Sequence, residues 1–214
     1  MTEQEIFNKI DYTLLSPTTT ITKYKNFCEE AIQRKITNIC IPPMYVNKLK
    51  HLYPDLIIST IIDFPYGFLD MENKIQVINK VDADEYSVVI NYNNIKSNKW
   101  IITNQELKEL RDSTNKIIKI HINTSYLSAS EKCTLAKSID KYNIDYIELY
   151  SKKKVNLEDI EIFKDYTNIK TIDSNISIED IETLLNLGVN KIGLYDISQL
   201  IDDIKIYTRK KSNV

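Results

Sequence analysis

Apolar residues along this chain follow two alternating rhythms. Short runs rich in isoleucine and valine alternate with longer stretches in which apolar residues return every three or four positions. The short runs are DYTLL (11–15), NICIPP (38–43), LIISTIIDF (56–64), EYSVVIN (85–91), KIIKIHIN (116–123), YIELY (146–150), IKTID (169–173) and KIGLYD (191–196). They make eight candidate strands, most of them apolar on both faces, as a parallel sheet covered by helices requires. The stretches between them read as amphipathic helices. One runs over 21–35 after Thr20, with Tyr24, Phe27, Cys28 and Ile32 on one stripe; the others cover 71–81, 104–113, 128–142, 156–166 and 177–188. Ser128 with Glu131, and more weakly Ser177 with Asp180, form capping boxes, and Gly188 suits a helix C-terminus. Eight strand–helix repeats predict one α/β domain over 1–214, a closed (β/α)8 TIM barrel; a doubly wound open sheet is the alternative and would more often have fewer strands. The polar tail RKKSNV is expected to fray.

Composition narrows the function classes. A net charge of −2 gives no pull toward nucleic acid or membrane. The opening MTEQEIFNKIDY lacks the basic-then-apolar profile of a secretory leader, and no apolar run is long enough for a bilayer. Three scattered cysteines, Cys28, Cys40 and Cys133, form neither a disulfide framework nor a zinc motif, so a reduced, cytoplasmic protein with no metal and no cofactor is expected. The chain has 3 glycines, which leaves little for a phosphate site built from backbone amides. It has 14 tyrosines. Of these, Tyr12, Tyr92, Tyr126, Tyr150 and Tyr195 fall near strand ends, where they would fill space or line an apolar pocket.

In such barrels chemistry sits at the C-terminal ends of the strands. Read in order, those ends carry a series of motifs. Asp11-Tyr12-Thr13-Leu14-Leu15 resembles the first-strand D-x-T-x-L signature of the deoxyribose-phosphate aldolase family. Cys40 to Val46 resembles that family's V-C-[IV]-x-P-x-[YF]-[VI] segment, and Thr60 to Gly67 its T-V-I-G-F-P-x-G, followed by Glu72 and Lys74 at the E-x-K positions. Ala83-Asp84-Glu85 precedes the fourth strand as A-D-E does there. The resemblance runs from the first strand to about Leu200 and implies a barrel that cleaves a carbon–carbon bond through a lysine Schiff base.

The departures bear directly on that chemistry. Where the family carries its sixth-strand lysine, in D-[FY]-[VI]-K-T-S, Asp145-Tyr146-Ile147 is followed by Glu148, and a carboxylate cannot form an imine. The fourth-strand aspartate of the family falls on Ser87 and the fifth-strand glutamate on Asn123. The seventh-strand lysine is kept as Lys170. The two phosphate-cradling segments become Ile172-Asp173-Ser174-Asn175-Ile176 and Gly193-Leu194-Tyr195-Asp196, which place carboxylates where the family has backbone donors; Lys152, Lys153 and Lys154 could offset them.

The resemblance therefore suggests Lys170, Glu148 and Asp11 as catalytic groups, with Cys40, Asp63, Ser87, Asn123, Asp173, Tyr195 and Asp196 against the substrate. A Glu148–Lys170 ion pair filling the old site is the competing reading, with other carboxylates pairing to Lys74 and Lys119. Cys40 is expected to be packed inside; His121, two residues before Asn123, could face the barrel interior and reach a substrate, although a packed histidine is the commoner outcome. The function implied is a carbon–carbon lyase, or a related enzyme, on a small non-phosphorylated carbonyl compound, with deoxyribose 5-phosphate cleavage lost. The alternative is a catalytically inactive homologue with a protein partner; a homodimer is open on either reading.

Overall fold

The computed structural model describes residues 2–151, 154–173, 176–195, 197, 200, 203, 204 and 207. The tail 209–214, Asp196, Lys152, Lys153, Ser174 and Asn175 lie outside the described residues.

Eight parallel strands close on themselves in chain order. They are β1 (Ile10–Thr13), β2 (Asn38–Ile41), β3 (Ile57–Ile62), β4 (Glu85–Val89), β5 (Ile117–Asn123), β6 (Tyr146–Tyr150), β7 (Asn168–Asp173) and β8 (Val189–Leu194). β1 pairs with both β2 and β8, which seals the barrel and removes every sheet edge. The open-sheet alternative is thereby excluded.

Helices surround the strands: α1 (Glu3–Phe7), α2 (Ile21–Gln33), α3 (Pro43–Leu52), α4 (Met71–Lys80), α5 (Tyr92–Lys96), α6 (Trp100–Ser113), α7 (Ala129–Lys141), α8 (Leu157–Phe163) and α9 (Ile178–Asn186). The Ser128–Glu131 and Ser177–Asp180 capping boxes both form. Gly188 follows α9 at φ +99°, a conformation that favours glycine. The buried stripe of α2 is Tyr24, Phe27, Cys28 and Ala31, whereas Ile32 is exposed.

Sequence reading expected most strands to be apolar on both faces, and here the structure differs. The outward face is apolar, with Ile39, Ile41, Ile118, Ile120, Ile122, Ile147 and Leu149 buried beneath the helices. The inward face is largely polar. Lys119 on β5 meets Asp11 on β1, and Lys191 on β8 meets Glu85 on β4; such contacts between opposite strands can form only through the bore. Asp11, Asn38, Ser59, Glu85, Ser87, Lys119, His121, Glu148 and Lys170 are all buried.

Candidate active site

The strand period turns every second residue inward, so each strand delivers its polar positions to the bore. Register then decides which of them touch. Glu148 lies beside Lys170 on the neighbouring strand and beside His121 on the other side.

The centre of the site is Lys170. Its Nζ lies 2.6 Å from Asp11 Oδ2 and 2.7 Å from Glu148 Oε2. The expected Glu148–Lys170 ion pair forms, and Asp11 completes a clamp. Below it, Lys119 bridges Asp11 at 3.3 Å and Glu85 at 2.7 Å, and Lys191 reaches Glu85 at 2.7 Å. Three carboxylates, Asp11, Glu85 and Glu148, thus face three ammonium groups, Lys119, Lys170 and Lys191, in one connected network.

These contacts decide the protonation states. Burial works against the Lys170 ammonium, but Asp11 and Glu148 outweigh it and hold its pKa well above the ordinary lysine value. Burial likewise pushes the Asp11 and Glu148 carboxyls up, yet Lys170 overrides it in both; Asp11 is held low and Glu148 well below the usual carboxylate range. Lys170 is consequently held as an ammonium ion.

Glu148 has two further partners. Ser87 Oγ donates to its Oε2 at 3.0 Å, and His121 Nδ1 lies 2.8 Å from its Oε1. An ionised carboxylate can only accept, so Nδ1 donates to Glu148, and in the tautomer this selects Nε2 carries the lone pair. The His121 ring is flanked by Phe64, edge-on at 5.7 Å, and by Tyr150, stacked at 6.0 Å. Phe64 comes from the loop after β3, which puts this ring at the C-terminal mouth of the bore.

The structure sorts the candidate residues. Asp11, Glu148, Lys170 and Ser87 converge. Cys40 is buried, and burial pushes its thiol up to about 12, so it is inert at neutral pH. Asp63 is turned away to hold its own loop. Its two carboxylate oxygens accept from the backbone N–H groups of Phe68 and Leu69 at 3.0 and 2.8 Å, and Lys74 lies 3.4 Å away. Asn123 caps the turn that follows it, accepting from Ser125 N and Oγ at 3.1 and 2.7 Å. Asp173 is buried at the end of β7, and Tyr195 is half-buried just beyond β8. Burial raises the Tyr195 phenol above its ordinary pKa, so it keeps its proton. Of the other tyrosines, Tyr12 faces outward against Phe27 at 4.2 Å, and Tyr92 stands edge-on to Tyr126 at 5.2 Å. Lys154, the described lysine of the loop after β6, pairs with Asp180 at 2.7 Å. Lys119, expected only as an ion-pair partner, and His121 reach the site through the alternation K-I-H-I-N in β5, while Glu85 on β4 and Lys191 on β8 join it without having been candidates.

A cavity of about 710 Å³ lies beside the mouth, among Leu15, Pro42, Tyr45, Ile61 and Leu69. Met44, in the first turn of α3, and Tyr66 and Phe68, on the loop after β3, stand at the same end with 77%, 55% and 74% exposure.

No family model matches the chain. Individual proteins do. A deoxyribose-phosphate aldolase from Clostridium botulinum (strain Alaska E43 / Type E3) is 32% identical over 205 residues, covering 90% of this chain and 93% of that protein. One from Clostridioides difficile (strain 630) is 28% identical, with 92% and 96% covered. Among solved structures, the aldolase QR15 superposes with a TM-score of 0.85 at 19% identity, over 98% of this chain and 99% of the other. The tetrameric deoxyribose phosphate aldolase from Aeropyrum pernix gives 0.80 at 19% identity, over 100% and 94%.

Proposed function

The chain belongs to the deoxyribose-phosphate aldolase family, and on that premise we propose that it is a carbon–carbon lyase acting on an unphosphorylated carbonyl compound by proton transfer, without an imine. The observation that carries this reading is the clamp on Lys170, 2.6 Å from Asp11 and 2.7 Å from Glu148. Imine formation needs a neutral amine, which burial or a neighbouring cation supplies and paired anions withdraw. Asp11, Glu148 and Lys170 then act as a fixed, ionised floor to the site. A charged floor of this kind stabilises charge that develops above it without reorganising. Tyr195, with its proton retained, is suited to donate a hydrogen bond to a carbonyl oxygen as negative charge forms there.

An unphosphorylated substrate is supported by where the described cations at the bore and the loop after β6 are engaged. Lys119, Lys170 and Lys191 each pair with buried carboxylates, and Lys154 is tied to Asp180. Asp173 adds a carboxylate at the end of β7.

The test is a panel of β-hydroxy aldehydes and ketones, with and without phosphate, followed by proton NMR in D2O, with parallel borohydride reduction and intact mass. Cleavage or α-deuteration of an unphosphorylated compound with no borohydride adduct is expected. An adduct on Lys170, or faster turnover of deoxyribose 5-phosphate than of deoxyribose, would overturn the reading.

The second reading, an inactive homologue that binds a protein, is favoured by the exposed Met44, Tyr66 and Phe68. Silence across the whole panel, together with a stoichiometric partner in a pull-down, would select it.

A further inference from the structure

We propose that His121 is the catalytic base of this site and that Glu148 is its positioning residue, an assignment that rests on the lyase reading above. Three observations carry it. The Nδ1–Glu148 contact of 2.8 Å fixes the ring and its tautomer. Nε2 makes no hydrogen bond with any described residue, and His121 keeps 2% of its surface. The ring lies at the mouth, between Phe64 and Tyr150. A carboxylate behind an imidazole that offers its other nitrogen outward is an arrangement suited to general base catalysis. A histidine held merely for packing would have both ring nitrogens either satisfied or removed from the mouth.

In the step assigned to it, Nε2 takes the proton from the hydroxyl β to the substrate carbonyl. The O–H electrons become the second bond of a new C=O, and the Cα–Cβ bond breaks. Its electron pair moves to Cα, giving an enolate whose oxygen accepts a hydrogen bond from Tyr195. The imidazolium, faced by Glu148, then returns the proton to Cα. Two carbonyl compounds leave, and His121 is neutral again.

The test uses the substrate found in the panel. His121→Asn keeps a donor toward Glu148 and removes the basic nitrogen. Loss of kcat by about a hundredfold or more, with KM and melting temperature nearly unchanged, is expected. Retained turnover within threefold would overturn this assignment and leave the lyase reading standing, whereas a silent wild-type protein would overturn both. Diethyl pyrocarbonate provides a measurement on the unmutated chain, which also decides the matter if the variant does not fold. Acylation of His121, mapped by peptide mass, should abolish turnover, and hydroxylamine should restore it. Acylation of the exposed His51 alone would overturn the assignment. Glu148→Gln should shift the tautomer of His121, read by nitrogen-15 NMR, which loss of packing alone would not do; an unchanged tautomer would remove Glu148 from its positioning role.

Discussion

Glu148 touches Lys170, His121 and Ser87 with two oxygens, and all three partners are buried. Truncation to Ala leaves the Lys170 ammonium with half its counter-charge. Removing one partner of a buried ion pair costs about 3–5 kcal/mol, and urea denaturation of Glu148→Ala should read a loss of that order. Gly193 is constrained by the same lysine. A Cβ there would lie 3.0 Å from Lys170 Cε and 3.1 Å from Ile172 Cγ1, so Gly193→Ala should cost about 1–3 kcal/mol by overpacking, read the same way. At this scale the sequence was legible where a motif fixes a position and opaque where geometry gives a residue its work. The lysine-to-glutamate exchange at 148 follows from the spacing of Asp145-Tyr146-Ile147. The role of Asp63 does not. It stands where the family motif has glycine, and its backbone takes φ +64°, which then turns its carboxylate onto the loop.

At the scale of elements, capping chemistry is local and was readable. Ser128 accepts from Glu131 N while Glu131 accepts from Ser128 N, and this reciprocal pair sets the start of α7. Ser128→Ala should therefore lower stability by about 1 kcal/mol, measured as a shift in the urea midpoint. Three helices escaped the reading. α1 and α5 span five residues each, too few for a periodic signal. α3 was concealed by Pro42-Pro43, which looked like the end of a strand. Pro43 instead occupies the first turn of the helix, where its missing N–H has no partner to lose. The stripe of α2 was drawn through Ile32 where Ala31 is the buried position, because apolar size alone does not say where the barrel wall lies.

The whole molecule is what joins residues far apart in the chain. Lys119 and Asp11 are separated by 108 positions, and closure of the eight strands makes them neighbours. The repeat of eight βα units was legible, but the polar bore was not, since an inward face exists only once the barrel is shut. Its ionisation gives a pH dependence of stability. Asp11, Glu85 and Glu148 have carboxyls lowered in the folded state, so their contribution is present above the unfolded values of about 4 and is lost as pH falls through the folded ones. Lys119 and Lys170 are raised, so theirs is complete below about 10.4 and is lost as pH rises through the folded values. Denaturation free energies should be flat with respect to this network from about pH 5 to 9 and fall on both sides. A slope across that plateau in the wild type, absent when Glu148 and Lys170 are both replaced by apolar residues, would contradict these assignments.

The charge balance of the bore also governs which neighbouring sequences are reachable. A lysine at 148, where the family's aldolases carry theirs, would turn three anions facing three cations into two facing four. Glu148→Lys alone should therefore fold poorly, while adding Ser87→Asp, the family's residue at that position, should recover much of the loss. Reversion to imine chemistry is in this sense a two-step path whose first step lies in a stability valley, and the network that holds the barrel together acts as a ratchet against return.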